Sequence, residues 1–137
     1  MKRVFKNEIS YKGWAEIRII DLENNTFTFY HVDNAIGFPF GVHMHMTITE
    51  MGYTSAKDCI KQLKHRKLLG IELDYKEQKE AERLGLLKLG VERIKMHNRV
   101  NTKDFEDIIQ QLSAYGLNYC DAQEQIIGLY EYELEIA

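Results

Sequence analysis

Trp14-Ala15-Glu16-Ile17-Arg18-Ile19, the turn Glu23-Asn24-Asn25, and Thr26-Phe27-Thr28-Phe29-Tyr30-His31 form the stretch on which the reading of the fold turns. In its first half Ala15, Ile17 and Ile19 alternate with Trp14, Glu16 and Arg18. In its second half Phe27, Phe29 and His31 alternate with Thr26, Thr28 and Tyr30. Successive side chains of a strand point to opposite faces, so a period of two on both sides of an Asn-rich turn predicts a β-hairpin over residues 13–32. Beyond it, Gly37-Phe38-Pro39-Phe40-Gly41 holds the chain's only proline and predicts a fixed turn. A further strand is expected over 42–50.

The spacing then changes to that of helices. Thr54 or Ser55 can cap a helix over 55–68, with Ala56, Cys59, Ile60 and Leu63 as its buried stripe. The opposite face carries Lys57, Lys61, Lys64, Arg66 and Lys67. Ile71–Tyr75 could form a short strand, and 76–89 reads as a helix stopped near Gly90. Residues 91–100 read as a strand, with Ile94, Met96 and Val100 on one face and Arg93, Lys95, His97 and Arg99 on the other. Asn101 or Thr102 starts a helix over 103–115, striped by Phe105, Ile108, Ile109, Leu112 and Tyr115 and ended by Gly116. Asp121-Ala122-Gln123-Glu124 resembles a capping box for a short turn of helix. The chain closes on an expected strand over 129–136, with Tyr130, Tyr132, Leu134 and Ile136 inward against Glu131, Glu133 and Glu135. The fold class that results is a single α+β domain over 1–137, a mainly antiparallel sheet with about three helices.

Met44-His45-Met46-Thr47-Ile48 before Lys57–Leu63, and Met96-His97-Asn98-Arg99-Val100 before Glu106–Leu112, look like two copies of one strand–turn–helix unit. Related lobes often build one site between them. If the two histidine-bearing strands were neighbours, His43, His45, Thr47, Arg93, Lys95, His97 and Arg99 would line one basic groove. Phosphate calls for positive charge and several donors in one place, and an arginine fork suits it.

Composition sets outer bounds. At 137 residues the chain can bury a real core without covalent staples. No signal peptide is expected, because MKRVFKNEIS has no apolar stretch after its basic residues. No apolar run approaches the roughly 20 residues that cross a bilayer. Cys59 and Cys120 form no motif together, and a cytoplasmic setting with reduced thiols is expected. The net charge of −3 divides sharply: residues 1–103 balance at +5, and 104–137 hold eight acids and no Lys or Arg, a balance of −8. The acidic end is a solvated face or a surface complementary to a basic partner, and it argues against extended nucleic acid. Together with the surplus of aromatics (Tyr11, Trp14, Phe38, Phe40, Tyr53, Tyr119, Tyr130 and Tyr132) it suggests a homo-oligomer, most simply a dimer.

His45-Met46-Thr47-Ile48 resembles the first half of the signature of the 2H phosphoesterases. In that family two His-x-Thr motifs face each other, the histidines serving as general acid and base while the hydroxyls hold the phosphate. His97-Asn98-Arg99-Val100 stands in the second position, with Arg99 where the family has Thr or Ser. The resemblance implies a phosphodiesterase acting on a nucleotide, with His45, Thr47 and His97 as its catalytic residues. Other chemistries find less. His43 and His45 could approach one metal ion, but no HExxH, CxxC or Asp-rich loop completes a shell, so no metal is expected. His31, among phenylalanines, is expected to be packed with a hydrogen-bond partner. There is no GxSxG elbow and no glycine-rich phosphate loop, so no cofactor is expected.

The expectation is a non-catalytic binding protein that holds, and so sequesters, a phosphate-bearing small molecule such as a nucleotide. The enzyme alternative is the phosphodiesterase. The third reading is a small inhibitor or immunity-type module, of the kind mobile elements carry, docking on a protein target through its acidic C-terminal third.

Overall fold

The computed structural model describes residues 1–136, and side chains through residue 135. Its elements are β1 (Lys2–Ile9), a 3-10 turn (Ser10–Lys12), β2 (Trp14–Asp21), β3 (Thr26–Asp33), β4 (Pro39–Thr47), α1 (Ala56–His65) and β5 (Ile71–Glu72). There follow α2 (Tyr75–His97), α3 (Lys103–Leu112), a second 3-10 turn (Ser113–Tyr115) and α4 (Tyr119–Ile136). The fold is α+β, with one antiparallel sheet in the order β4-β3-β2-β1-β5 and four α-helices. Two compact units divide within α2: Met1–Ala81, and the chain from Glu82 onward.

In the first unit the hairpin forms as its alternation predicts, with Ile17 opposite Tyr30 and Ile19 opposite Thr28. Its partner β1 was hidden by its polar residues, yet it lies inside the sheet between β2 and β5. Val4 and Phe5 point to opposite faces, and both are buried. Phe5 packs with Ile20, Phe27, Ile48 and Leu69 against the stripe Ala56, Cys59, Ile60 and Leu63 of α1. Each Phe, Ile and Leu among them contributes on the order of 1.5–3 kcal/mol by leaving water. Ser55 caps α1, accepting a hydrogen bond from the Asp58 N–H at 3.1 Å. Gly70 lets the chain turn back under β1. Its φ is +76°, and a Cβ there would lie 2.7 Å from the Asn7 Cα and collide with the Lys6 carbonyl. On the other face Tyr30 is fully buried, and its hydroxyl donates to the Ala81 carbonyl.

The second unit corrects three readings. Residues 91–100 are not a strand: α2 continues through them to His97, and Asn98 ends it at φ +54°. Gly90 therefore does not stop the helix. It is buried inside it, where a Cβ would lie 2.6–3.0 Å from atoms of the Ile126 side chain. The expected strand over 129–136 is the last part of α4, which begins earlier, after Asn118 accepts from the Asp121 N–H at 2.8 Å. The side chain of Ile136 lies outside the described residues. The unit's core joins Leu87, Val91 and Ile94 of α2 to Phe105, Ile108, Ile109 and Leu112 of α3, and to Ala122, Ile126 and Leu129 of α4. With 91–97 helical, the strand–turn–helix repeat does not exist.

Candidate functional site

The residues expected to form one groove fall into two groups. His43, His45 and Thr47 lie on β4 in the first unit, and Arg93, Lys95 and His97 lie on α2 in the second, with Arg99 just past its end. The adjacency of two histidine-bearing strands fails because only one of them is a strand.

On β4, the side chains of His43, His45 and Thr47 share a face with Tyr30, Thr28 and Thr26, their direct partners on β3. The His43 ring stacks on Tyr30 at 6.3 Å between centroids. The His45 Nδ1 and the Thr28 hydroxyl are 2.7 Å apart. No Lys or Arg stands on β4 itself. The other face of the same strands holds an aromatic cluster around His31, with Trp14, Phe29 and Phe40 at centroid distances of 5.1–5.8 Å. Arg18 lies over Phe29 and donates to the Leu68 carbonyl at 2.8 Å. His31 is packed as expected. The Glu16 carboxylate, 3.9 Å from its Nε2, is too far for a hydrogen bond. Burial lowers the His31 pKa, with Glu16 pulling the other way and Arg18 and Lys12 adding to the fall.

Lys88, Arg93, Lys95 and His97 of α2 are engaged by acids of the same unit. The Lys88 side chain has no exposed surface, and it is held by Glu92 at 2.9 Å and by Glu133. Lys95 also reaches Glu133 and lies 3.5 Å from Glu92. Burial works to lower the Lys95 pKa, but the Glu133 hydrogen bond and the charges of Glu133 and Glu92 together raise it. Arg93 and His97 converge on Asp104, at 3.9 and 3.2 Å. The acidic C-terminal third is thus partly complementary to this chain's own α2. A phosphate arriving at Arg93, Lys95 or His97 would have to displace carboxylates, which compete for the same donors. Arg99 is exposed beyond the helix end.

One concavity stands apart from these groups. An open, shallow groove of about 490 Å³ lies along one exposed face of α4, and all the residues that line it, Cys120, Gln123, Glu124, Ile127, Gly128 and Glu131, belong to that helix. These residues follow helical spacing, so they form one stripe. A Cβ on Gly128 would meet nothing within 4 Å, which makes this the open centre of the groove. Glu124 and Glu131 stand along it, and Ile127 supplies apolar surface. The stripe is present in the sequence as residues 120, 124, 127, 128 and 131, but reading a strand over 129–136 cuts it in two.

Among the described residues no group of three or more His, Cys, Asp or Glu is placed to hold a metal ion. No described helix is long and apolar enough to cross a membrane. No protein-family model, no curated protein and no solved structure matches this chain.

Proposed function

We propose that this chain is a non-catalytic interaction module whose α4 groove takes a basic, amphipathic helical segment of a partner protein. The open acidic groove itself carries the reading. It pairs apolar surface at Ile127 with the carboxylates of Glu124 and Glu131, and Gly128 leaves room for a large side chain from the partner. Helix-in-groove recognition needs these parts: an apolar anchor, space for it, and flanking charge that sets orientation and encounter rate. No Lys or Arg occurs beyond residue 103 to oppose a cationic partner. Asp104 and Glu133 are already engaged with α2, whereas Glu124 and Glu131 line the groove. An inhibitor or immunity-type role is one use of such a module.

The phosphate-holding reading draws less support, because its cations on α2 sit among carboxylates and β4 supplies none. Selection of displayed helical peptides against the whole chain tests the proposal. Basic amphipathic sequences should be enriched, should weaken with added salt, and should lose binding to Gly128→Leu and to Glu124→Lys/Glu131→Lys. Enrichment indifferent to both variants would remove the groove from consideration. A parallel thermal-shift panel of linear and cyclic nucleotides should show no shift; a shift abolished by His45→Ala would restore the phosphate reading.

A further inference from the structure

The two ends of the sheet are finished differently. At one edge β5 is two residues long and carries Glu72, whose carboxylate is clamped by Arg3 at 2.6 and 2.9 Å. Shortness and charge are the usual protections of an edge strand. The other edge, β4, runs nine residues and contains no Asp, Glu, Lys or Arg. Pro39 and the irregularity between Tyr30 and His31 guard its beginning, but His43–Thr47 runs in unbroken register with β3. Val42 and Met44 are 57% and 41% exposed. No strand pairs with the outer side of β4 among the described residues.

The direction of its backbone groups follows from alternation. The Ile48 N–H donates to the Asn25 carbonyl, towards β3, so Met46 and Met44 also face inward. His43, His45 and Thr47 then face the outer edge. The Thr47 N–H agrees, donating away from β3 to its own Glu50 at 3.3 Å.

We propose that the outer edge of β4 pairs antiparallel with the same strand of a second copy of this chain, about a twofold axis at His45. This register uses the outward groups of His43, His45 and Thr47 on both copies, with the Thr47 N–H exchanging its exposed Glu50 acceptor for a carbonyl of the partner. Met44 falls opposite the partner's Met46, apolar on apolar, His43 pairs with the partner's Thr47, and His45 meets its own copy on the axis. The choice of a second copy rests on this self-complementarity. A strand without Asp, Glu, Lys or Arg meets its own copy with no carboxylate pair and no ammonium or guanidinium pair, His45 alone facing itself across the axis, whereas an edge rich in such residues would oppose itself along its length. The contact is isologous, so it closes at two copies and does not propagate.

Sedimentation of the full chain from micromolar to sub-millimolar concentration provides the test. The wild type should pass from monomer to dimer. His45→Pro removes an outward N–H while sparing the bonds to β3, and Met44→Lys places a charge beside its own copy. Both should remain monomeric across the range with unchanged circular dichroism. In a Cys120→Ser background, His45→Cys should cross-link through a short bismaleimide, and Tyr11→Cys, on the connection between β1 and β2, should not. A wild-type monomer at the highest concentration would overturn the proposal and leave the edge to a foreign strand. A dimer that persists in both edge variants, or that cross-links equally through Tyr11→Cys, would overturn it as well.

Discussion

Gly90 and Gly128 are both glycines inside helices, and substituting alanine at each should move stability in opposite directions. In a helix interior alanine is favoured over glycine by about 0.5–1 kcal/mol, because glycine loses more backbone freedom on folding. At Gly128 nothing opposes that gain, since a Cβ would meet open space. Gly128→Ala should therefore stabilise by close to that amount. At Gly90 a Cβ would lie 2.6 Å from the Ile126 Cδ1 and 3.0 Å from both Cγ1 and Cγ2. Ile126 has no exposed surface into which it could swing. Because both γ carbons are in close contact as well as the tip, rotating the end of the side chain is not enough, and the whole residue must shift. Overpacking of this kind costs about 1–3 kcal/mol. Set against the propensity gain, Gly90→Ala should destabilise by roughly 0–2 kcal/mol. Ile126→Val removes the nearest atom and alone costs about 0.5–1.5 kcal/mol. The double variant should cost less than the sum of the singles, with a coupling of about 1 kcal/mol. Urea unfolding followed by far-ultraviolet circular dichroism measures all four corners of the cycle. If Gly90→Ala stabilises as much as Gly128→Ala, or if the double variant is additive, α2 and α4 do not approach at Gly90 and the packing of the second unit is misread.

Lys88→Ala should cost about 3–5 kcal/mol, the scale for removing one partner of a buried ion pair. Lys88→Met/Glu133→Leu should recover much of that in the same unfolding assay. Gly70→Ala should destabilise by at least about 2 kcal/mol, since it combines a left-handed φ with a collision against the Lys6 carbonyl. The His31 pKa lies below its ordinary value, so the folded protein disfavours the charged ring; the stability this lends is full above about pH 6.5 and falls with pH through the folded value. His31→Phe should flatten the decline just below pH 6.5 in pH-resolved melting. Burial, and secondarily the Asp58 charge, push the Cys59 thiol up to about 11. A thiol reagent at pH 8 should therefore titrate exposed Cys120 at once and Cys59 only after unfolding; rapid reaction at both would contradict its burial.

The elements legible in the sequence are those with one buried face that is apolar throughout, which in the hairpin is the face of Ala15, Ile17 and Ile19, while Arg18 is buried on the other. The hairpin over 14–33 shows a clean period of two, and α1 and α3 show unbroken stripes behind caps at Ser55 and Thr102, so reading and structure agree there. β1 was missed because it is buried by Val4 and Phe5 alone, with Lys2, Arg3, Lys6, Asn7 and Glu8 around them. On β4 the faces of His43, His45 and Thr47 follow from alternation. That β4 would be the outer strand does not, since strand order is set by pairing and not by local pattern.

The readings of 91–100 and 129–136 failed for one shared reason. The buried stripe of α2 runs through Leu87, Lys88, Val91 and Ile94, and that of α4 through Ala122, Ile126, Leu129 and Glu133. Each is a sound helical stripe with one charged residue on its inner face, and the two charged residues are each other's partners. Read alone, Lys88 and Glu133 look like solvated positions. Removing them from the stripes breaks the helical period and leaves the accidental alternations Arg93/Ile94/Lys95/Met96 and Glu131/Tyr132/Glu133/Leu134 as the strongest local signal. The same pairing hid how the charge of the acidic end is distributed. A count over 104–137 makes all eight acids available to a partner, whereas Glu133 and Asp104 are held by Lys88, Lys95, Arg93 and His97. With those two set aside six acids remain, and two of them, Glu124 and Glu131, stand on the stripe along the α4 groove.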